Sequence, residues 1–162
     1  MSATVPSVSV MANNFDFLVG TWTSKQRRLR EILAGSDEWY EFEGITRCWS
    51  VFDGGGNIDE VKFPEQGYTG LTLRLFDPAT ELWSIYWARN DTGLALPPTV
   101  GRFDEDGVGR FYDDEDWHGR PIRVRYQWTV LSNDACRWEQ AFSTDQGETW
   151  ETNWTADFTR SS

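Results

Sequence analysis

The sequence predicts an all-β chain of about ten antiparallel strands, taken in chain order and closed into an up-and-down barrel. Three observations carry this. Polar and apolar residues alternate with a period of two along most of the chain, and no stretch sustains a helical stripe. The alternating stretches are separated by short turn-rich joints such as Asp53-Gly54-Gly55-Gly56, Asp77-Pro78-Ala79-Thr80 and Asp104-Glu105-Asp106-Gly107. Joints this short connect neighbouring antiparallel strands. Finally, Gly20-Thr21-Trp22 opens the first strand and Arg160 ends the last, so a guanidinium can lie across an indole where the two strands meet. Closure removes both exposed edges of the sheet. A two-sheet sandwich is the rival architecture.

In chain order, residues 1–12 are rich in Ser, Val and Pro and read as a loose arm ahead of one domain over 13–162. Phe15 to Leu18 reads as a single helical turn capping the bottom. Strands are expected at 21–30, 38–51, 57–63, 68–77, 82–90, 98–104, 108–115, 122–131, 135–143 and 150–159. On the first, an inward Trp22 carries Ser24, Gln26 and Arg28 inward as well. On the second, the uncharged set Tyr40, Phe42, Thr46 and Cys48 is placed inside, while the parity of 57–63 stays open. Across the Asp77-Pro78 turn, Leu71, Leu73 and Leu75 pair with Trp83, Ile85 and Trp87 as the inner face, leaving Thr72 and Arg74 outside. Arg89 continues that inner face toward the open end, and Ile122, Val124, Tyr126, Trp128 and Val130 face in on a later strand.

The last hairpin turns on Ser143-Thr144-Asp145-Gln146-Gly147-Glu148-Thr149-Trp150, which matches the Asp-box pattern S-x-D-x-G-x-T-W. One copy in 162 residues argues against the propellers that repeat it. Read as a turn, it pairs Phe142, Gln140, Trp138 and Cys136 with Trp150, Thr152, Trp154 and Ala156 as the inner face, with Glu139, Glu151 and Asn153 outside. Counting by twos from Trp154 brings Arg160 inward, where it would meet Trp22.

The stretch Phe15-Asp16-Phe17-Leu18-Val19-Gly20-Thr21-Trp22, the Asp77-Pro78-Ala79-Thr80 hairpin, the Asp-box hairpin and Arg160 together resemble the calycin group. More narrowly, they resemble bacterial lipocalin-like β-barrel proteins of about this length, over nearly the whole chain from Phe15 to Arg160. That resemblance implies a ligand-holding barrel. It supplies no reaction, because calycins include carriers, haem binders and a few enzymes.

Composition narrows the partners. A net charge of −11 repels nucleic acid and anionic membrane surfaces, and no basic cluster reverses it. Lys25-Gln26-Arg27-Arg28-Leu29-Arg30 alternates along a strand and reads as a solvated face. Two cysteines make no disulfide framework, and neither a leader pattern nor a membrane-length apolar run is present, so a reduced, cytoplasmic setting is expected. His118 is the sole histidine and sits at a hairpin tip, which rules out a multi-histidine metal site or a histidine relay. As the only possible axial ligand, placed outside the lumen, it also disfavours haem. The acidic runs 104–106 and 113–116 lack calcium-loop spacing, Gly54-Gly55-Gly56 is followed by no Lys and helix, and Cys48 and Cys136 read as core residues. No metal and no cofactor are expected.

The expected ligand-binding set is Gln26, Leu73, Trp83, Trp87, Tyr126, Trp128, Trp138, Gln140, Thr152 and Trp154. An aromatic wall holds a flat apolar molecule, and a few polar groups fix its orientation. The plain alternative is that these groups satisfy one another, or a few waters, inside a filled barrel. A buried Arg is costly alone, so Arg28 or Arg89 should find a carboxylate or an anionic ligand, with Glu41, Glu43 and Glu60 as partners if the strand parity is reversed. Two functions stand on this set. One is binding of a small, mainly apolar or aromatic molecule in the lumen. The other is a cofactor-free isomerase, cyclase or lyase, with Tyr126 giving acid/base help and Arg89 or Arg28 stabilising negative charge. A protein-interaction module would need an apolar stripe on the outer strand faces, and none is read.

Overall fold

In a computed structural model that describes residues 14–161, the sheet closes on itself and every strand pairs with its neighbours in sequence. The arm expected over residues 1–12 lies outside the described residues. The strands are β1 (Gly20–Leu29), β2 (Trp39–Val51), β3 (Gly56–Phe63), β4 (Tyr68–Asp77), β5 (Leu82–Arg89), β6 (Gly93–Phe103), β7 (Val108–Trp117), β8 (Arg120–Ser132), β9 (Ala135–Ser143) and β10 (Glu151–Arg160). All neighbours are antiparallel, and β1 joins β10 from Trp22↔Arg160 to Arg28↔Trp154. The result is an all-β, lipocalin-like barrel, as the alternation and short joints predict. β6 starts five residues ahead of its expected position, at Gly93 rather than 98.

The closed end is packed solid. A 3-10 turn, Asp16–Leu18, brings the chain under the barrel, and Trp22 Nε1 donates to the Leu18 carbonyl at 2.8 Å. The Arg160 guanidinium lies 4.2 Å from the Trp22 ring and donates to the carbonyls of Val19 (2.7 Å), Phe17 (2.9 Å) and Asn133 (3.1 Å). Fully buried Phe15 packs edge-on against Trp83 and Phe103, within a cluster that includes Phe111, Trp128 and Phe158.

Turn chemistry sets the register. His118 and Gly119 both take positive φ, 51° and 82°, as the two-residue turn between β7 and β8 requires. In the Asp-box turn, the Ser143 hydroxyl accepts from Gly147 N (2.8 Å) and Asp145 accepts from Thr149 N (2.9 Å), with Gly147 at φ 94°.

Two registers differ from expectation. Asp77 pairs with Leu82, so the β4–β5 joint holds four residues and sets Phe76, Arg74 and Thr72 against Trp83, Ile85 and Trp87. Thr72 and Arg74 therefore face in, and Leu71, Leu73 and Leu75 face out. The leucines join Ile58 and Trp49 on the outer surface of β2–β4 through the pairs Ile58↔Leu73 and Trp49↔Ile58. Leu71 is 42% exposed and Trp49 41%, so the exterior does carry an apolar strip where none was expected. The second difference is a bulge at Asn153, between the pairs Thr152↔Ala141 and Trp154↔Gln140. The extra residue turns Asn153 inward, fully buried, and reverses everything before it. Thr152 and Trp150 consequently face out, where Arg125 covers the Trp150 ring at 4.5 Å. Glu151 faces the mouth. The preferred parity of β2 holds, with Phe42, Thr46 and Cys48 buried inside, and on β3 the inner set is Asn57, Asp59, Val61 and Phe63.

Candidate functional site

Above the closed-end core lies a cavity of about 240 Å³ that opens at the far end of the barrel. This is just below the roughly 300–1,000 Å³ usual for ligand pockets, so it suits a small molecule. Its walls are aromatic. Trp138 stands edge-on to Tyr126 and to Trp154, each at 5.3 Å, and Trp87 meets Trp154 at 6.5 Å. Gly70 makes room for Trp87, because a Cβ there would fall 2.1 Å from the indole. Polar groups hold these rings in place: Trp154 Nε1 donates to Gln26 Oε1 (2.8 Å), and Gln26 Nε2 donates to Ser24 Oγ (2.8 Å). Gln140 Nε2 donates to Asn153 Oδ1 (2.8 Å), so the bulge residue braces the wall.

The floor is charged. Arg74 and Asp59 form a buried ion pair, Nη2 to Oδ2 2.7 Å, and Arg74 Nη1 donates to Asn57 Oδ1 (3.0 Å). Asn57 Nδ2 donates in turn to the Phe15 carbonyl (3.1 Å). The guanidinium packs against the edge-to-face pair of Phe15 (5.4 Å) and Trp128 (5.2 Å), whose ring centroids are 6.3 Å apart.

At the mouth, Arg28 lies over Trp154 at 4.5 Å and makes no ion pair among the described residues. Arg89 sits 3.6 Å from the Tyr68 ring and donates from Nε and Nη2 to the two Asp91 oxygens, both at 2.8 Å. Of the two arginines, Arg89 thus has its carboxylate, and Arg28 is a cation facing the lumen. The partners considered for them lie elsewhere: Glu41 pairs with Arg27 outside the barrel at 3.4 Å. The β1–β2 connection leans over the rim, where Leu33 N donates to Glu151 Oε1 (2.7 Å) and Ile32 and Leu33 pack on Ile122, Val124 and Phe142.

β7 contributes two carboxyls, Asp113 beside Val124 and Glu115 at the lumen edge. Burial, then the hydrogen bond and charge of Glu115, push the Asp113 carboxyl up to about 8. Burial, with Glu115 and Asp113 adding to it, also raises the Tyr126 phenol, so Tyr126 stays protonated and has a proton to donate. Burial pushes the Cys48 and Cys136 thiols up to about 12, which leaves both as inert core groups. Among the described residues no group of three or more His, Cys, Asp or Glu is placed to hold a metal ion.

Of the residues read from sequence, Gln26, Trp87, Tyr126, Trp128, Trp138, Gln140 and Trp154 line the cavity, as do Arg28 and Arg89. Trp83 is in the closed-end core beneath it, and Leu73 and Thr152 lie on the outer face, for the register reasons above. Asp59, Arg74 and Glu115 line the cavity and were missed, and Thr46, placed inside but left out of the ligand-binding set, lines it too. A signal existed for β7: counting by twos through Phe111, Asp113, Glu115 and Trp117 puts the acids on the same face as the two aromatics.

Fold and site together define a lipocalin-like barrel, plugged at one end, whose lumen is open to a small molecule at the other. Among solved structures, the chain is similar to the S-type phycobiliprotein lyase CPES from Guillardia theta, with a TM-score of 0.57 and 12% identity over 98% of this chain and 99% of that one. At that identity the likeness is one of fold. No protein-family model matches the sequence, and no curated protein matches it. No helix among the described residues is long and apolar enough to cross a membrane.

Proposed function

We propose that this barrel binds a small, flat, mainly apolar or aromatic molecule in its lumen, in a reducing, cytoplasmic setting. The observation that carries the proposal is the cavity itself: about 240 Å³ walled by Trp87, Tyr126, Trp138 and Trp154, with the polar groups of Gln26 and Gln140 among the rings. Trp154, fixed by its hydrogen bond to Gln26 and packed against Trp87 and Trp138, makes the wall preorganised, which lowers the ordering cost of binding. Arg28 favours a ligand with an anionic edge toward the mouth. Native mass spectrometry of freshly purified protein tests this, with a bound small molecule expected and lost in Trp87→Ala. A filled barrel would show neither a bound molecule nor quenching of tryptophan fluorescence by small aromatic probes.

A second reading is a cofactor-free enzyme of the isomerase, cyclase or lyase type. It is favoured by a protonated Tyr126 and the Glu115 carboxyl lining one lumen, a proton donor and an acceptor group. The Guillardia theta relative in fold is itself a phycobiliprotein lyase. An enzyme should lose turnover in Tyr126→Phe or Arg89→Ala while at least one of the two keeps its binding. Unchanged turnover in both would overturn that reading and leave binding alone.

A further inference from the structure

We infer that the floor of the lumen is a hydrogen-bonding socket for a neutral group with a donor and an acceptor on adjacent atoms, an amide or lactam carried by the flat ligand. This rests on the lumen-binding reading and names the chemistry of the ligand's buried end.

Three residues of the cavity lining each carry a buried polar atom with no partner: Thr46 Oγ1, Asp59 Oδ1 and Arg74 Nε. Their residues are 3%, 5% and 2% exposed. They come from adjacent strands: Thr46 is paired with Val61, two residues along β3 from Asp59, and so lies diagonal to it. Asp59 is in turn bound to Arg74 at 2.7 Å. Neither charged group can turn away to satisfy itself. Arg74 is clamped by Asp59, Asn57 and the rings of Phe15 and Trp128, and Asn57 is anchored on the Phe15 carbonyl. Unpaired buried polar atoms are costly, and a site that supplies them selects the ligand that pairs them.

Charge decides which ligand. The Arg74–Asp59 pair is neutral as a unit, so an anion placed against Nε also meets the Asp59 carboxylate, and a cation placed against Oδ1 meets the guanidinium. A hydrocarbon leaves all three atoms dry. A carbonyl accepting from Arg74 Nε, with its neighbouring N–H donating to Asp59 Oδ1, satisfies both, and the Thr46 hydroxyl serves either atom. The aromatic walls then take the ring that carries the amide.

The test is a tryptophan-fluorescence titration of the full chain with three probes of similar size: quinolin-2(1H)-one, its N-methyl derivative and naphthalene. Quinolin-2(1H)-one should bind about tenfold or more tighter than either of the others. Thr46→Val should shrink that advantage severalfold, leave naphthalene affinity unchanged and cost no stability, because the lost hydroxyl has no partner to lose. Should Thr46→Val fail to fold, the N-methyl comparison in the unaltered chain still decides. Equal affinity for all three probes, abolished by Trp87→Ala, overturns the socket while the lumen reading stands: the floor then holds water only. Binding of none of the three overturns both.

Discussion

Asp113 gives the chain a pH signature of its own. Its carboxyl sits near 3.8 when unfolded and is pushed up to about 8 when folded, by burial and then by Glu115. Between those values the folded chain keeps a proton that the unfolded chain has released. The contribution of Asp113 to stability is therefore full below about pH 4 and declines as pH rises toward 8. Asp113→Asn, which copies the protonated form, should match the parent at pH 4 and exceed it at pH 9 by up to about 5 kcal/mol, read by urea denaturation. At this scale the sequence was legible where chemistry is unambiguous. Trp22 and Arg160 could be matched because each is the single suitable partner at its end of the chain. Arg74 could not: a strand reading Leu71, Thr72, Leu73, Arg74, Leu75 looks as though its leucines face in. Hydrophobicity alone cannot tell that a buried ion partner, Asp59, waits across the adjacent strand for the arginine.

Strand existence and order were legible almost throughout, because turn residues punctuate a period-two pattern. Register was less so. The β4–β5 joint carries Glu81 at φ 57°, a residue type that does not advertise a left-handed conformation, so the loop looks shorter than it is. The β10 bulge falls on Asn153 with no glycine to mark it, and one extra residue moved Thr152 from the inner face to the outer. Because Asn153 accepts from Gln140 inside the wall, Asn153→Ala should cost about 1–2 kcal/mol in chemical denaturation. Gly70 is a second place where an element shapes the site. In Gly70→Ala the added methyl would meet the far end of the Trp87 side chain, which can swing while the backbone stays. The expected outcome is a folded barrel with altered near-UV circular dichroism and several-fold weaker binding of aromatic probes.

For the molecule as a whole, closure depends on one seam. Arg160 satisfies three backbone carbonyls and covers Trp22 where β1 meets β10. Arg160→Ala removes all of these contacts and should lower stability by about 2–4 kcal/mol, seen as a fall in Tm of roughly 5–12 °C. Arg160→Lys should recover less than half, since one ammonium cannot serve the same fork of acceptors. The container could be read from sequence because its signals are local or lie at the chain ends. The contents could not, because a lumen assembles side chains from every strand and each register error moves a residue to the other side of the wall.

The hydrogen bond from Asn57 to the Phe15 carbonyl runs from the ion pair down into the segment that crosses beneath the barrel. Seat and foundation are therefore one piece of carpentry. Loosening the entering segment would tilt the guanidinium above it, so damage at the sealed base would be felt first as a guest that no longer sits firmly.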